Sequence, residues 1–373
     1  MLKDIYCSMV MIENSVFGCL ISLCNKSFGL CKEELVKHPD TEEEWVRLFE
    51  LSTVQRMLPV AMFAAESLPE GARPTGRKIV PYYMLAEKEM SKYVDKIGTL
   101  KQLANLFGRC GIDMMLLKGV SLAERYPDPK LRISSDIDYY LYGDSKKGEL
   151  ILESVGIASS DYYHHHTQAT ANGILLENHY DFFDRENHKC NRILDDEMKA
   201  LAAKEGKNIR FDFKDGSRNI VYRMSPSMEA IFLMRHMSGH FMAAETELRQ
   251  IYDWVLFLRD SGDKVDWPLV KDLYEKSGMI CFARILIWII HEKLRVNVAC
   301  PLEPLSGKMA EKVWDDIVNP KGKDKYRRGT ARYYLREAQI FLNNRWKHSL
   351  IYPSESYIGL MFNMLKLKIK LGR

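Results

Sequence analysis

Residues 114–142 read MMLLKGVSLAERYPDPKLRISSDIDYYLY, and this stretch decides the fold. A buried apolar run ends at Lys118-Gly119, a short helical stretch leads to a Pro-rich turn, and Arg132 and two serines precede Asp136-Ile137-Asp138, which opens a second apolar run. In a strand successive side chains alternate faces, so Asp136 and Asp138 share one face while Ile137 turns into the core. Two parallel carboxylates repel unless a cation sits between them, which makes the pair a candidate divalent-metal site of hard oxygen ligands, best suited to Mg²⁺. Asp-x-Asp alone is common on solvated strands. The Lys-Gly turn before it, Arg132 and the tyrosine- and leucine-rich strand give it weight here.

A later run, Ile174 to Phe183, alternates in the same way and groups Glu177, His179 and Asp181 on one face. Beside the Asp strand, this run supplies a third carboxylate, and spacing leaves Glu177 and Asp181 both open for it. Three shared acidic ligands are what a two-metal phosphoryl transferase needs to hold cations about 3.5–4 Å apart. The adjacent His164, His165 and His166 alternate faces, so they cannot all ligate one ion. His236 and His240 share a helix face but lack an adjoining Glu or a third ligand.

The segment LLKGVSLAERYPDPKLRISSDIDYYL resembles the signature of an uncharacterised nucleotidyltransferase family of the DNA-polymerase-β-like superfamily. GILLENHYDFF (173–183) is similar to that family's later strand, and SPSMEAIFLMRHMSGHF with LRQIYDWVLFL to its helical C-terminal half. The resemblance spans roughly residues 85–280. It implies Mg²⁺-dependent transfer of a nucleoside monophosphate, AMP from ATP by default, to an acceptor hydroxyl with release of pyrophosphate. Two Mg²⁺ ions, or Mn²⁺ in their place, would be held by Asp136, Asp138 and Glu177, so it favours Glu177 over Asp181. Lys118, Gly119, Arg132, Ser134 and Ser135 would contact the triphosphate, with His166, His179, His236, Arg249 and Asp253 around the cleft. The wider superfamily places Gly-Ser or Gly-Gly at the first turn, whereas only Gly119 matches clearly here. The acceptor is a small molecule in the first instance, with tRNA or a protein as alternatives. Two rival readings are a catalytically inactive nucleotide-binding or regulatory module, and a toxin-type enzyme modifying tRNA.

Outward from this centre, residues 1–110 read as a helical region, 111–223 as an α+β core with a small mixed sheet, and 224–373 as a C-terminal helical domain. Thr41-x-x-Glu44 is a capping box opening a helix with Trp45, Leu48, Leu51 and Leu58 at helical spacing. A Pro/Gly-rich break precedes a long helix over residues 83–109, and the whole N-terminal region reads as scaffold. Within the core, strands are expected at 114–117, 137–142, 162–169, 174–183, 209–213 and 219–222, with helices at 120–126 and 145–154. Ser225 caps a helix to about Phe241, and 245–259 forms another in which Arg249 and Asp253 lie four apart. The absence of Gly-x-Gly-x-x-Gly and of a Walker-type loop argues against a dinucleotide fold and a P-loop enzyme.

A formal charge of +4, from 54 basic and 50 acidic residues, is too mild to point to nucleic acid. The basic stretch 321–339, where Lys, Arg and Tyr interleave, reads as a solvated amphipathic helix with RNA contact as the alternative, and the basic amphipathic C-terminus as a segment able to touch an anionic surface. Eight cysteines without a Cys-x-x-Cys pair read as reduced thiols in a cytoplasmic protein. The longest later apolar run, 285–290, is far short of the roughly 20 residues that cross a bilayer, so no stable membrane association is expected.

Overall fold

The computed structural model describes residues 2–32, 36–160, 165–186, 188–213, 219–243, 246–319, 339, 342–357 and 359, with side chains from residue 15 onward. The fold is mixed α and β, with helical regions flanking one mixed six-stranded sheet. Its strands are β1 (Met115–Leu116), β2 (Asp136–Tyr140), β3 (His166–Ala171), β4 (Ile174–His179), β5 (Ile209–Arg210) and β6 (Tyr222–Arg223), in the order β3-β4-β2-β1-β6-β5. β2 runs antiparallel to β1 and parallel to β4, and Asp138 stands opposite Glu177. β3 and β4 form a hairpin whose two-residue turn, Asn172-Gly173, has positive φ at both positions, the geometry Asn-Gly adopts most easily.

Alternation along β2 separates two cores. Ile137 and Tyr139 pack with Leu100, Leu103 and Phe107 of the long helix α4, while Tyr140 joins a larger core that runs from the N-terminal helices to Tyr352. Asp136 and Asp138 share the face of Tyr140, so carboxylates stand where that face would otherwise continue as apolar packing.

The helices before the sheet are α1 (Leu2–Ser27), α2 (Glu42–Val54), α3 (Leu58–Glu66) and α4 (Val80–Arg109). The Thr41 capping box forms as expected: Thr41 Oγ1 accepts from the Glu44 amide at 3.2 Å and Glu44 Oε2 from the Thr41 amide at 3.3 Å. The single helix expected after it is two, divided at Arg56, whose φ is 56°. Gln55 holds the break in place, its side chain donating to the Ile317 carbonyl at 3.0 Å and accepting from the Leu248 amide at 2.7 Å.

After β1 come α5 (Val120–Ala123), α6 (Ser145–Ser154) and α7 (Lys189–Glu205). Sequence spacing did not foresee α7, although Cys190, Leu194, Met198 and Leu201 recur at helical intervals and are buried. β4 stops at His179 because the amides of Tyr180 and Asp181 both turn to the His165 carbonyl, at 3.1 and 3.2 Å, and Asp195 of α7 takes those of Phe182 and Phe183 at 2.6 and 3.3 Å, so the chain cannot continue the ladder to Phe183. β1, α5, β5 and β6 are shorter than expected, and the first four residues of the expected strand before Thr167 lie partly outside the described residues. The C-terminal helices are α8 (Pro226–Met242), α9 (Leu248–Ser261), α10 (Trp267–Lys276), α11 (Ile280–Glu292), α12 (Lys308–Val318) and α13 (Arg345–Ile351). Both basic stretches, 321–339 apart from Gln339 and 361–373, lie outside the described residues, and among those described no helix is long and apolar enough to cross a membrane.

Buried ion pairs bind the sheet loops to α8 and α9. Arg125 pairs with Glu229 through bonds of 2.7 and 2.9 Å. Arg132 donates through Nε and Nη2 to both oxygens of Asp253, at 2.8 Å each, and through Nη1 to the Gly119 carbonyl at 3.0 Å. Asp253 is 5% exposed and also accepts from the Tyr126 hydroxyl at 2.9 Å. Arg249 and Asp253 are therefore not the surface pair that their spacing alone suggests. Asp253→Ala leaves the Arg132 guanidinium buried without its carboxylate, and the expected loss is about 3–5 kcal/mol. Urea unfolding should show it as a lower midpoint at constant m value, and adding Arg132→Met should recover part of it.

Candidate active site

Gly119 opens the site. Its φ of 64° and ψ of −106° favour glycine, and a Cβ there would meet the Asp136 carbonyl at 3.4 Å. The turn it makes lets Lys118, at the end of the β1 run, reach across to β2. Lys118 Nζ lies 3.1 Å from Asp138 Oδ1 and 3.5 Å from Asp136 Oδ2. The cation between the two carboxylates is thus the chain's own ammonium. Burial alone would lower the pKa of Lys118, but the charges of Asp138, Asp136 and Glu177 overcome it and hold the ammonium above its ordinary value.

Beneath that pair the donors converge. The parallel register brings Glu177 beside Asp138, and the ligand atoms of Asp138, Glu177 and His179 all lie within 4.8 Å of one another. His179 Nε2 is 3.3 Å from Asp138 Oδ1, and Glu177 Oε1 accepts from Gln168 Nε2 at 3.0 Å. Asp138 is fully buried and its Oδ2 has no hydrogen-bond partner among the described residues. Asp181 lies past the end of β4, ion-paired with Lys199, so of the two acidic candidates the fold brings Glu177 and not Asp181 to the Asp pair.

Burial first, and then the charge of Asp138, pushes the Glu177 carboxyl up to about 8, whereas Asp138 is held below the ordinary carboxylate range despite its burial, by Lys118 and His179. Of the two, Glu177 is the one that holds a proton more readily.

The alternation argument for the histidines needs correction. His164 is outside the described residues, but His165 and His166 gather with His179, because β3 begins only at His166 and His165 precedes it in a turn. His166 Nε2 is 3.6 Å from Glu177 Oε1.

Above these groups is a cleft of about 390 Å³ lined by Lys118, Gly119, Arg132, Ser134, Ser135 and Asp136 from the sheet side, and by His236, His240, Arg249 and Asp253 from α8 and α9. Arg132 borders the cleft, yet its donors go to Asp253 and Gly119, so it holds the walls together and does not point a free fork at a ligand. Arg249 bonds Asp253 at 3.2 Å through Nη1, and its buried Nε has no partner among the described residues. His236 and His240 meet Nε2 to Nε2 at 3.1 Å, and burial, with Lys118 nearby, keeps His236 neutral, its pKa well below the usual value.

The N-terminal region is more than scaffold. Val54 and Arg56 line the cleft, and Lys96 of α4, 3% exposed, donates to Ser134 Oγ at 2.8 Å and to the Ser134 carbonyl. Burial pushes the Lys96 ammonium down to about 8, against the pull of Asp136. A helical wheel holds the signal for Lys96, since it falls on the stripe of Leu100, Leu103 and Phe107. Arg56 and Gln168 carry no comparable sign.

A family model described as "Uncharacterised nucleotidyltransferase" matches residues 41–295. Among solved structures, an antigenic nucleotidyltransferase-like protein from Paracoccidioides brasiliensis is similar at 14% identity and a TM-score of 0.34, over 55% of this chain and 95% of that one. No curated protein matches.

The proton on Glu177 gives a pH test. A carboxyl raised from 4.5 to about 8 contributes stability that is complete below pH 4.5 and is lost as the pH rises through 8. In the presence of chelator, Glu177→Gln should therefore gain melting temperature relative to the wild type progressively between those limits and show no such gain below them. Thermal unfolding across that range checks it, and a difference independent of pH would contradict it.

Proposed function

Since the chain belongs to the uncharacterised nucleotidyltransferase family, we propose that it transfers a nucleoside monophosphate, AMP from ATP, to the hydroxyl of a small acceptor and releases pyrophosphate. The observation that carries this reading is the convergence of Asp138, Glu177 and His179 under a cleft bordered by Asp136, Lys118 and Gly119.

The residues present fit a divalent cation. Asp138 Oδ2 is buried without a partner, and three donors stand within 4.8 Å of one another around it. Asp138, Glu177 and His179 would hold one ion, Mg²⁺ or Mn²⁺, and Asp136 with Asp138 a second, where Lys118 now lies. When bound, such ions neutralise polyphosphate charge and acidify the acceptor hydroxyl.

The chain's own groups account for the rest. Gly119 allows close backbone approach to phosphate oxygens, and Lys118 and Arg249 place positive charge along the cleft. Lys96 fixes Ser134, and the Arg132–Asp253 pair fixes the loop that leads into β2, so that a bound triphosphate meets preset partners. Glu177, deprotonated once a cation stands in place of its proton, would take the proton of the acceptor hydroxyl as the acceptor oxygen bonds to the α-phosphorus, and the bridging oxygen departs with pyrophosphate.

Incubation of the full chain with α-labelled ATP, Mg²⁺ or Mn²⁺ and a panel of small hydroxyl compounds, proteins and tRNA should show label transfer together with pyrophosphate release. Asp136→Asn, at a partly exposed position, should lower the rate by at least about 100-fold, on the scale of the several kcal/mol that metal ligation supplies, and remain folded. The absence of both nucleotide binding by calorimetry and pyrophosphate release would refute the proposal.

A further inference from the structure

A second group of donors lies away from the cleft, where α7 begins. His188 is the N-cap residue of α7, and its Nδ1 is 2.8 Å from Glu355 Oε2. The other oxygen of Glu355 accepts from the Cys190 amide at 3.2 Å, and the Cys190 thiol lies against the same carboxylate. His348, from α13, brings a third donor: one ligand atom each of His188, His348 and Glu355 lies within 4.8 Å of the other two.

Hydrogen bonding by itself leaves this cluster incomplete. His348 is 2% exposed, and its Nε2 is buried with no partner among the described residues. A neutral imidazole in that position loses its solvation and gains nothing in return. Burial keeps both imidazoles below their ordinary pKa, hence neutral and available as ligands, while His188 holds the Glu355 carboxyl ionised at about 2.

We propose that His188, His348 and Glu355 form a structural Zn²⁺ site, closed by Cys190, that ties the α13 segment to the start of α7. The donor set of imidazole, carboxylate and thiolate suits Zn²⁺. Tetrahedral ligands at about 2.0–2.3 Å from zinc stand roughly 3.3–3.8 Å apart, so side-chain rotations of about an ångström bring His188, His348 and Glu355 to three corners of a coordination shell, and Cys190 would move in as the fourth. The surroundings favour order: the His188 ring stacks on Tyr352 at 3.7 Å and 1°, and the His348 ring meets Tyr357 edge-on at 4.9 Å. Arg235, 5% exposed and 4.2 Å from the Tyr352 ring, adds a positive charge nearby. Burial pushes the Cys190 thiol up to about 12 against the pull of Arg235, so Cys190 joins the shell only as the metal displaces its proton.

The test uses the full chain, stripped with chelator and titrated with Zn²⁺ alone by calorimetry, with Co²⁺ as the spectroscopic probe. His179→Gln disables both donor groups at the sheet, so the zinc equivalent assigned here should survive in that variant and be lost in His348→Gln and in Glu355→Gln. Zn²⁺ should raise the melting temperature of the wild type and His179→Gln, but not of the other two. Co²⁺ should show tetrahedral d–d absorption with a thiolate charge-transfer band that Cys190→Ser removes. A wild type that binds no zinc beyond what His179→Gln abolishes overturns the site, as does an equivalent retained by both His348→Gln and Glu355→Gln. Two variants guard against one failing to fold, and the result is independent of whether nucleotidyl transfer is found.

Discussion

The structure is organised around the charge on one face of β2. That strand carries Asp136 and Asp138 on the side where Tyr140 joins the larger core, and Asp138 is wholly buried. An ion taken out of water costs several kcal/mol, and Lys118 at 3.1 Å returns roughly 5 kcal/mol at an effective dielectric of about 20, so the two terms are of one size. This compensation requires that Lys118 reach β2 from the neighbouring strand. Antiparallel pairing of β1 with β2 and a glycine turn just after Lys118 place it there.

The same logic governs the walls of the cleft. The loop that leads into β2 contributes Arg132, a cation 5% exposed, whose carboxylate partner comes from α9. Bidentate pairing with a third bond to the Gly119 carbonyl fixes loop, turn and helix together, which is worth more to the site as positioning than as stability. α4 does the like from the other side through Lys96 and Ser134, and Gln55 stitches the break between α2 and α3 to the start of α9. A cleft bounded by both helical regions and the sheet therefore has its shape set by buried polar contacts, while the apolar cores set its location.

What the sequence disclosed was periodic or local. Asp-x-Asp at the head of an apolar run, the Thr41 capping box and the Ser225 cap each depend on neighbours a few residues away. The choice between Glu177 and Asp181 could not be made from alternation, because the decision lies in where β4 ends. That end is set by the His165 carbonyl, which takes the Tyr180 and Asp181 amides, and by Asp195, on a helix the spacing did not reveal, reaching back for those of Phe182 and Phe183. His165 was misjudged for the same kind of reason: two-residue alternation holds only inside a strand, and β3 starts one residue later. Long-range partners such as Lys96 with Ser134, or Arg132 with Asp253, leave no mark in local pattern beyond a charged residue on an otherwise apolar stripe.

The buried cluster's charge balance also bears on its chemistry. Asp136, Asp138 and Glu177 bring three negative charges, Lys118 one positive, and a proton that burial and Asp138 favour on Glu177 a second, which leaves the group with one negative charge in excess. On the proposed reading, exchange of that proton for a dication would bring the total to zero, with His179 as a further donor. That balance is what the proposed divalent ion rests on, since a monovalent ion in place of the proton would not reach it. It also leaves Lys118 with less carboxylate to hold it, since the oxygens it now bridges would be shared. An ammonium loosened from Asp136 and Asp138 sits at the border of the cleft beside Gly119, where an anionic ligand would be the next partner within reach.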